Sequence, residues 1–486
     1  MDVDYNDKHT NVAKGLEAAV DEVEGMDVET RARLEKSITR KFDMRVLPLC
    51  TLMHLCSMID RSNMGNANVL GMSEDVDLTG KRFNIALSVF FATYITFEIP
   101  ANIALRRLGP KYWLPVLTLG FGIVTMCHAF VQSFNGLIVC RIFLGMFEAG
   151  VLPGIVYTLS MVYRRHQLTT RMGWLNGIVV LSGAFGGLLA TGFSRIPQHG
   201  ILKSWRWIFL LEGIITALVG IAVFMLPNSL ESATFLTDEE RQYAISRLIE
   251  EAKALPSERM NKKTFIRALK HWPTQLSALA LICSLCCQGS MQLFAPTILT
   301  NMGYTGQQAQ LMSVPPYVYG AIVLVVVGTL SDRLKNRGYF VVFFLAPCCL
   351  IGFTLNQFVS NVGVRYFGLF LTVSGGFTAS PHMLTWAVDN SAGLSVKAIV
   401  AAYAVGVGGL GQFLSTWTYL KTEAPKFTTG HSINMTVSVL MIVFAGAHCI
   451  YAIRENKKRD AGKRDHRLVD EAEGLGHEHP TFRFTP

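Results

Sequence analysis

Charged residues are scarce in this chain: only 16% of its 486 residues are Asp, Glu, Lys or Arg, whereas half are hydrophobic. Soluble domains average about a quarter charged, so this composition excludes an ordinary soluble protein and indicates a membrane protein. The sequence also lacks a nucleophile–base cluster and a metal-ligand cluster, which argues against an enzyme and indicates no cofactor. The net charge of +9 comes without a nucleic-acid-binding motif, so no nucleic-acid partner is predicted.

The ten cysteines indicate neither a disulfide framework nor a metal site, because most lie inside apolar runs. The C-x-x-C spacing of Cys283 and Cys286 has no His and no second pair nearby. The N-terminus is polar and acidic to about Asp43, so no cleavable signal peptide is expected. The first apolar run would then act as the targeting signal.

Twelve apolar runs are long enough to cross a bilayer, and a polar stretch separates the first six from the second six. The sequence therefore predicts an all-α membrane protein with twelve transmembrane helices in two six-helix bundles. We expect a disordered tail over 1–44 (with a possible short helix over 28–41), a first bundle over 45–226, a linker over 227–273, a second bundle over 274–453 and a tail over 454–486. Numbered in chain order, spans 1 to 12 are predicted at 45–66, 83–105, 113–131, 137–162, 171–193, 205–226, 274–299, 309–330, 339–358, 363–386, 396–420 and 432–453.

Lys and Arg residues predict the orientation. They cluster in the connections that follow even-numbered spans and in the tails, whereas the connections near 132–136 and 301–309 have none. By the positive-inside rule, both termini are expected in the cytosol. No lipidation or retention motif is evident at the C-terminus, so the plasma membrane is the default location.

Span 4 contains both a guanidinium and a carboxylate, Arg141 and Glu148, which are seven residues apart and so share one helix face. Charges at membrane depth are costly and are candidates for function. An arginine there can hold an anion by forked hydrogen bonds, and a glutamate can take and release a proton. The alternative is an ion pair that only locks helices together.

The connection between spans 8 and 9 reads G-T-L-S-D-R-L-K-N-R-G over Gly328–Gly338, and it resembles the signature loop of the major facilitator superfamily. The resemblance implies that Asp332, Arg333 and Arg337 govern a switch between outward and inward states; the alternative is a solvated turn. The equivalent loop of the first half keeps Arg106 and Arg107 but lacks the aspartate. Asp389, at the end of span 10, resembles a counterpart of this latch.

Further stretches resemble the anion:cation symporter family, especially its fungal allantoate/nicotinate permease-like branch. They include D-R-S-N-M-G-N-A at Asp60–Ala67, R-I-F-L-G-M-F-E-A-G-V-L-P-G at Arg141–Gly154, W-R-W-I-F-L-L-E-G at Trp205–Gly213, L-M-S-V-P-P-Y at Leu311–Tyr317, W-A-V-D-N-S-A-G at Trp386–Gly393 and G-H-S-I-N at Gly430–Asn434. The resemblance implies a major facilitator fold that moves organic anions, often with a proton, by alternating access. It also implies that Arg61, Arg141 and Glu148 handle the anion and the proton.

Depth along the spans is compatible with these roles. At 1.5 Å per residue, Asp60 and Arg61 lie roughly 21–23 Å along span 1, and Glu148 lies about 16 Å into span 4, near the midplane. Asp60 could neutralise an arginine or take part in proton coupling, or it could be an outer-surface cap. Gln288 and Gln412 could line the cavity of the second half by hydrogen bonding.

These observations predict a secondary transporter for a small organic anion of the carboxylate, vitamin or ureide class, working by proton symport within the lipid bilayer. A two-bundle carrier can work as a monomer. The alternative on the same fold is an exporter of a secondary metabolite. A nutrient sensor that binds without transport is a third hypothesis, which the short tails do not favour.

Overall fold

The computed structural model describes residues 26–253, 262–467 and 476–486, and helices make up most of them. In chain order the helices are α1 (Val28–Arg45), α2 (Leu47–Ala67), α3 (Arg82–Leu108), α4 (Pro110–His128), α5 (Phe134–Glu148), α6 (Val151–Ser160), α7 (Arg165–Phe193), α8 (Ser204–Val223), α9 (Asp238–Lys253), α10 (Lys262–Lys270), α11 (Trp272–Asn301), α12 (Gly306–Leu334), α13 (Arg337–Phe340), α14 (Ala346–Phe358), α15 (Val362–Asp389), α16 (Leu394–Ser415) and α17 (Thr428–Asp460).

Twelve spans account for all of these helices except α1, α9 and α10. Span 4 consists of α5 and α6, and span 9 consists of α13 and α14, joined by a π-helical turn at Val341–Leu345. Ten helical stretches in the described ranges are long and apolar enough to cross a membrane. The helices α4 and α15 complete the set, since each is at least 19 residues long and packs along a neighbouring span, α4 against α8 and α15 against α14. The predicted all-α membrane fold is confirmed.

The two bundles are in close contact at one face of the structure. We call the face with α1, α9, α10 and Gly476–Pro486 the tail face, and the opposite one the loop face. In the loop-face half, Gly183 of span 5 lies against the ring of Tyr317 of span 8, and Gly65 of span 1 lies against the backbone of Leu293 of span 7. In the tail-face half, Gly173 and Gly177 of span 5 face open space among the described residues. The bundles are therefore in close contact in the loop-face half, whereas these two glycines of the tail-face half have no neighbour from the second bundle.

The segment predicted as a disordered tail contains the helix α1, which agrees with the possible helix over 28–41 rather than with disorder; residues 1–25 lie outside the described ranges. Its residues Leu34, Ile38 and Phe42 recur every four positions and are buried. Opposite α1 lies α9 of the linker, whose Glu240 accepts hydrogen bonds from Lys41 and Ser37, both at 2.6 Å. These two helices form a cover on the tail face of the first bundle.

The segment Gly476–Pro486 forms the corresponding cover on the second bundle. The buried Arg459 of span 12 donates hydrogen bonds to three of its carbonyls, those of His477, His479 and Phe482, at 3.0, 3.2 and 2.7 Å. The rings of His477 and His271 lie 4.0 Å apart, so the segment also touches the start of span 7. The described part of the predicted tail is thus a packed part of the structure, because its carbonyls have a fixed cationic donor.

We predict that Arg459→Ala releases this segment, because three carbonyls lose one charged donor at once. Hydrogen–deuterium exchange of residues 476–486 should rise about tenfold or more. Arg454→Ala, an exposed arginine on the same helix, is the matched control and should leave the exchange unchanged. Equal exchange in both variants would contradict this role of Arg459.

The cover on the first bundle should loosen in acid. Partial burial alone would raise the pKa of the Glu240 carboxyl, but hydrogen bonds from Lys41 and Ser37 lower it to about 2. A lowered carboxyl pKa contributes stability that is present above the unfolded value of 4.5 and is lost as the pH falls toward 2. We expect the ionised Glu240 to contribute about 1–2 kcal/mol to the stability of this cover, allowing for solvent screening around the half-exposed Lys41. The rate of proteolysis of α1 between pH 6 and pH 3 measures this loss of stability. Glu240→Gln should make the rate of proteolysis depend less on pH.

Candidate anion and proton site

The centre of the first bundle holds a buried ion pair between spans 1 and 4. Arg61 Nε donates to Glu148 Oε1 at 2.5 Å, and the two residues are 7% and 0% exposed. Ser57, one turn before Arg61, donates its hydroxyl to the same oxygen at 2.6 Å. Glu148 Oε2 has no hydrogen-bond partner among the described residues. One carboxylate oxygen is therefore doubly bound and the other is available.

The break in span 4 places this carboxylate. Glu148 is the last residue of α5, and α6 begins at Val151 after a short turn. On either side of Glu148, Gly145 lies against the backbone of Phe90, and Gly150 lies against the side chain of Leu117. Larger residues at these glycines would push span 4 away from spans 2 and 3, so close packing around the break sets the depth of Glu148.

Aromatic rings and the second bundle complete the surroundings of Arg61. Its guanidinium carbon lies 4.8 Å from the ring centroid of Tyr94 and 5.7 Å from that of Phe90, both on span 2. Its Nη1 donates to Gln412 Oε1 of span 11 at 3.4 Å. A guanidinium beside aromatic rings and an amide can bind a planar anion by forked hydrogen bonds when the neighbouring carboxylate does not neutralise it.

Arg141 is buried in the same bundle but is not paired with Glu148. It is 2% exposed, and its Nε and Nη2 have no hydrogen-bond partner in the part of the chain that the structure describes. Arg141 and Glu148 are both buried, as expected for two residues on one helix face. The ion-pair partner of Glu148 is nevertheless Arg61 of span 1. A buried guanidinium with open donors is costly unless an anion satisfies it.

Asp60 is 3% exposed, so its alternative role as an outer-surface cap is wrong. Its Oδ1 accepts a hydrogen bond from Thr125 of span 3 at 2.9 Å, and within the described ranges it forms no ion pair. Nearby, the buried Glu212 of span 6 accepts a hydrogen bond from Asn63 of span 1. Carboxyls from three spans (1, 4 and 6) therefore lie in the interior of the first bundle.

Gln288 and Gln412, the two residues predicted to line the cavity of the second half, have different surroundings. Gln412 contacts Arg61, as described above. Gln288 is 4% exposed, and its Oε1 accepts a hydrogen bond from Ser380 of span 10 at 2.8 Å. This hydrogen bond stays inside the second bundle and does not reach the ion pair.

Ion pairs connect three of the six predicted gating residues. Arg337 lies 2.5 Å from Asp332 and 3.0 Å from Asp389, which links the ends of spans 8 and 10 within the second bundle. The other three are exposed and form no ion pair with any described residue: Arg333, Arg106 and Arg107. The latch of the second half thus has no counterpart built from the arginines of the first half.

Several site residues had not been selected from the sequence. Asn63 carried a detectable signal, since it is a polar residue inside an apolar run, within D-R-S-N-M-G-N-A. Ser57, Tyr94 and Thr125 carried none, because small hydroxyl residues and aromatics are ordinary in membrane helices. Only the packing of spans 1, 2, 3 and 4 identifies them.

Comparisons with known proteins agree with this architecture. The family model of the Major Facilitator Superfamily matches residues 50–416. An uncharacterized transporter of Schizosaccharomyces pombe is 32% identical, with 96% of this chain and 94% of that protein covered. The high-affinity nicotinic acid transporter of Saccharomyces cerevisiae is also 32% identical, with 91% and 82% covered. The family and these relatives are transporters and not enzymes, as predicted.

Solved structures show the same fold at low sequence identity. The crystal structure of a D-xylose-proton symporter superposes with a TM-score of 0.65 at 12% identity, over 84% of this chain and 97% of that one. The partially occluded inward-open form of the xylose transporter XylE from E. coli gives 0.64 at 14% identity, over 83% and 97%. With its twelve spans and its match over most of its length, the chain belongs to the major facilitator superfamily of multi-pass membrane transporters.

Proposed function

We propose that this transporter moves a small organic anion together with a proton, by alternating access, as a member of the anion:cation symporter branch. The observation that carries the proposal is the buried pair of Arg61 and Glu148, in which the guanidinium of one span is neutralised by the carboxylate of another. A structural ion pair needs no spare donors nearby. Here, however, Arg141 adds a second buried guanidinium with open hydrogen-bond donors.

The coupling follows from charge balance. When Glu148 binds a proton, it no longer neutralises Arg61, and the guanidinium becomes free to hold the carboxylate of a substrate by forked hydrogen bonds. When the substrate leaves, Glu148 releases its proton and pairs with Arg61 again. The charge of Arg61 is neutralised in both states, by Glu148 in one and by the substrate in the other, which avoids leaving this guanidinium uncompensated at membrane depth. Arg141 supplies further donors to the bound anion.

The proposed direction is import into the cytosol. In this proposal the tail face is cytosolic and the transporter works as a monomer in the plasma membrane, so the loop-face closure corresponds to an inward-facing state. The 32% identical nicotinic acid transporter handles a carboxylic acid, which favours a carboxylate substrate here. The rings of Phe90 and Tyr94 beside Arg61 favour a flat anion over a bulky one.

We predict opposite signatures for the two partners of the ion pair. Arg61→Ala should reduce uptake of the anion by about 100-fold or more, because the anion loses a charged, forked donor. Glu148→Gln imitates the protonated state, so it should retain binding and exchange but lose the rise of uptake at low pH. The measurement is uptake of radiolabelled carboxylates, nicotinate among them, into expressing cells at external pH 5 and 7.5.

Glu231→Gln, at an exposed glutamate of the linker with no ion pair among the described residues, is the control for the carboxylate change. It should keep the pH dependence of uptake. If neither Arg61→Ala nor Glu148→Gln changes transport, the pair is only structural and the proposal fails. Accumulation of a metabolite in cells that lack the protein, without an uptake defect, would instead indicate an exporter.

Arg141 should contribute to binding more than to coupling. Arg141→Lys keeps the charge but loses the forked geometry, so KM should rise about tenfold while the ratio of uptake at pH 5 to that at pH 7.5 stays constant. Arg206→Lys is the comparison, since this buried arginine of span 6 donates to the carbonyl of Ala129 at 2.6 Å, away from the ion pair. A shifted pH ratio in Arg141→Lys would assign Arg141 to the proton step.

A further inference from the structure

One hydrogen-bonded contact at the loop face joins the two bundles through the side chain of Asn84. This residue is the third of α3 in span 2 and is 1% exposed. Its Nδ2 donates to the backbone carbonyls of Thr416 at 2.6 Å and Tyr419 at 3.1 Å, which belong to the second bundle. One amide of the first bundle therefore binds two carbonyls of the second.

The two carbonyls lie where a helix ends. The helix α16 of span 11 ends at Ser415, and the chain then turns through Thr416 to Tyr419. These two carbonyls belong to the turn, and a buried backbone carbonyl needs a hydrogen-bond partner. Asn84 supplies that partner from the opposite bundle, so the turn after span 11 has it only while the bundles are in contact.

A second contact reinforces the first. Ser88, one turn after Asn84, lies with its hydroxyl 2.8 Å from that of Thr416, and it also donates to the carbonyl of Asn84 at 2.8 Å. Asn84, Ser88 and Thr416 are all buried. We call the contact of Asn84 and Ser88 with Thr416 and Tyr419 the loop-face clasp.

The clasp is one helical turn from Gln412, the residue through which span 11 contacts Arg61. Gln412 precedes Thr416 by four residues on span 11, so both lie on the same helix face. Gln412 is the residue of the second bundle that accepts a hydrogen bond from Arg61. Fixing the end of span 11 therefore also fixes the position of Gln412 relative to Arg61.

We propose that Asn84 is a gating and positioning residue, which closes the loop face by binding the turn that follows span 11 and thereby holds Gln412 against Arg61. The proposal rests on the alternating access and the anion site of the proposed function. When the bundles separate, the Asn84 amide and the two carbonyls lose their mutual hydrogen bonds and form hydrogen bonds with water instead. Because a protein hydrogen bond has a small net stability in water, the clasp can open as readily as it closes.

The test uses a change of chemistry without a change of shape. Asn84→Asp removes the two donor hydrogens and places oxygens against the two carbonyls, so it should open the clasp. Asn102→Asp makes the same change about five turns further along span 2, at a half-buried residue without a hydrogen bond to any described side chain, and is the matched control. Ser88→Ala is a milder second variant in case Asn84→Asp does not fold.

The first readout needs no substrate. In the purified full-length protein in lipid nanodiscs, hydrogen–deuterium exchange of residues 82–90 and 412–420 should rise about tenfold in Asn84→Asp and less in Ser88→Ala. Asn102→Asp should match the wild type. Unchanged exchange in both clasp variants overturns the proposal, whether or not the transported anion is known.

The second readout is transport. An open clasp favours the state that accepts substrate at the loop face, so Asn84→Asp should lower KM for uptake while the maximal rate falls by a similar factor. A structural defect would lower the maximal rate alone, which would overturn the proposal. Gln412→Ala should weaken uptake in the wild type but add nothing in Asn84→Asp. Equal effects of Gln412→Ala in the wild type and in Asn84→Asp would also overturn the proposal for Asn84. If no anion is transported but hydrogen–deuterium exchange rises in Asn84→Asp, only the proposed anion site is rejected.

Discussion

The structure depends on how one positive charge is held in a place without water. Arg61 lies inside the first bundle, where a guanidinium without a partner is costly to bury. Glu148 neutralises it, Ser57 binds the same carboxylate oxygen, and the rings of Tyr94 and Phe90 shield the guanidinium. Span 1, span 2 and span 4 must therefore keep their relative depth and rotation, because a shift of one turn would separate the two charges.

This constraint explains the architecture around the pair. The break after Glu148 and the glycines at 145 and 150 allow span 4 to approach spans 2 and 3 closely at the depth that the ion pair requires. The second bundle has fewer charges in its interior and contributes an amide, Gln412, to the shared site. The first bundle thus holds the charges, and the second bundle contacts them with a neutral group that can move away without breaking an ion pair.

The sequence predicted the spans well, because apolar length and the spacing of turns are local properties of a chain in a bilayer. Because Arg61, Arg141 and Glu148 are charges at membrane depth, the sequence also indicated a functional role for them, which stays a prediction. It did not predict that Glu148 pairs with Arg61 rather than with an arginine of its own span. Helix periodicity gives the face on which a residue lies but not which neighbouring helix that face meets.

The same limit applies to residues that look ordinary in the amino-acid sequence. Asn84 and Ser88 begin a typical apolar helix, and their importance comes from the end of a span more than 300 positions away in the chain. The covers on the tail face were missed for another reason. The segment Gly476–Pro486 has few apolar residues, and its order depends on Arg459 binding its carbonyls, an interaction that composition does not reveal.

The two helices of the linker are attached to different bundles. Its first helix, α9, belongs with α1 on the first bundle, whereas α10 reaches the second bundle, where Arg267 lies 3.5 Å from Glu478 of the final segment. Each half of the chain therefore carries its own cover and its own half of the linker. In consequence the protein resembles two covalently joined subunits of a heterodimer, and two separately synthesised polypeptides, divided between α9 and α10, would each retain every helix that they need to associate.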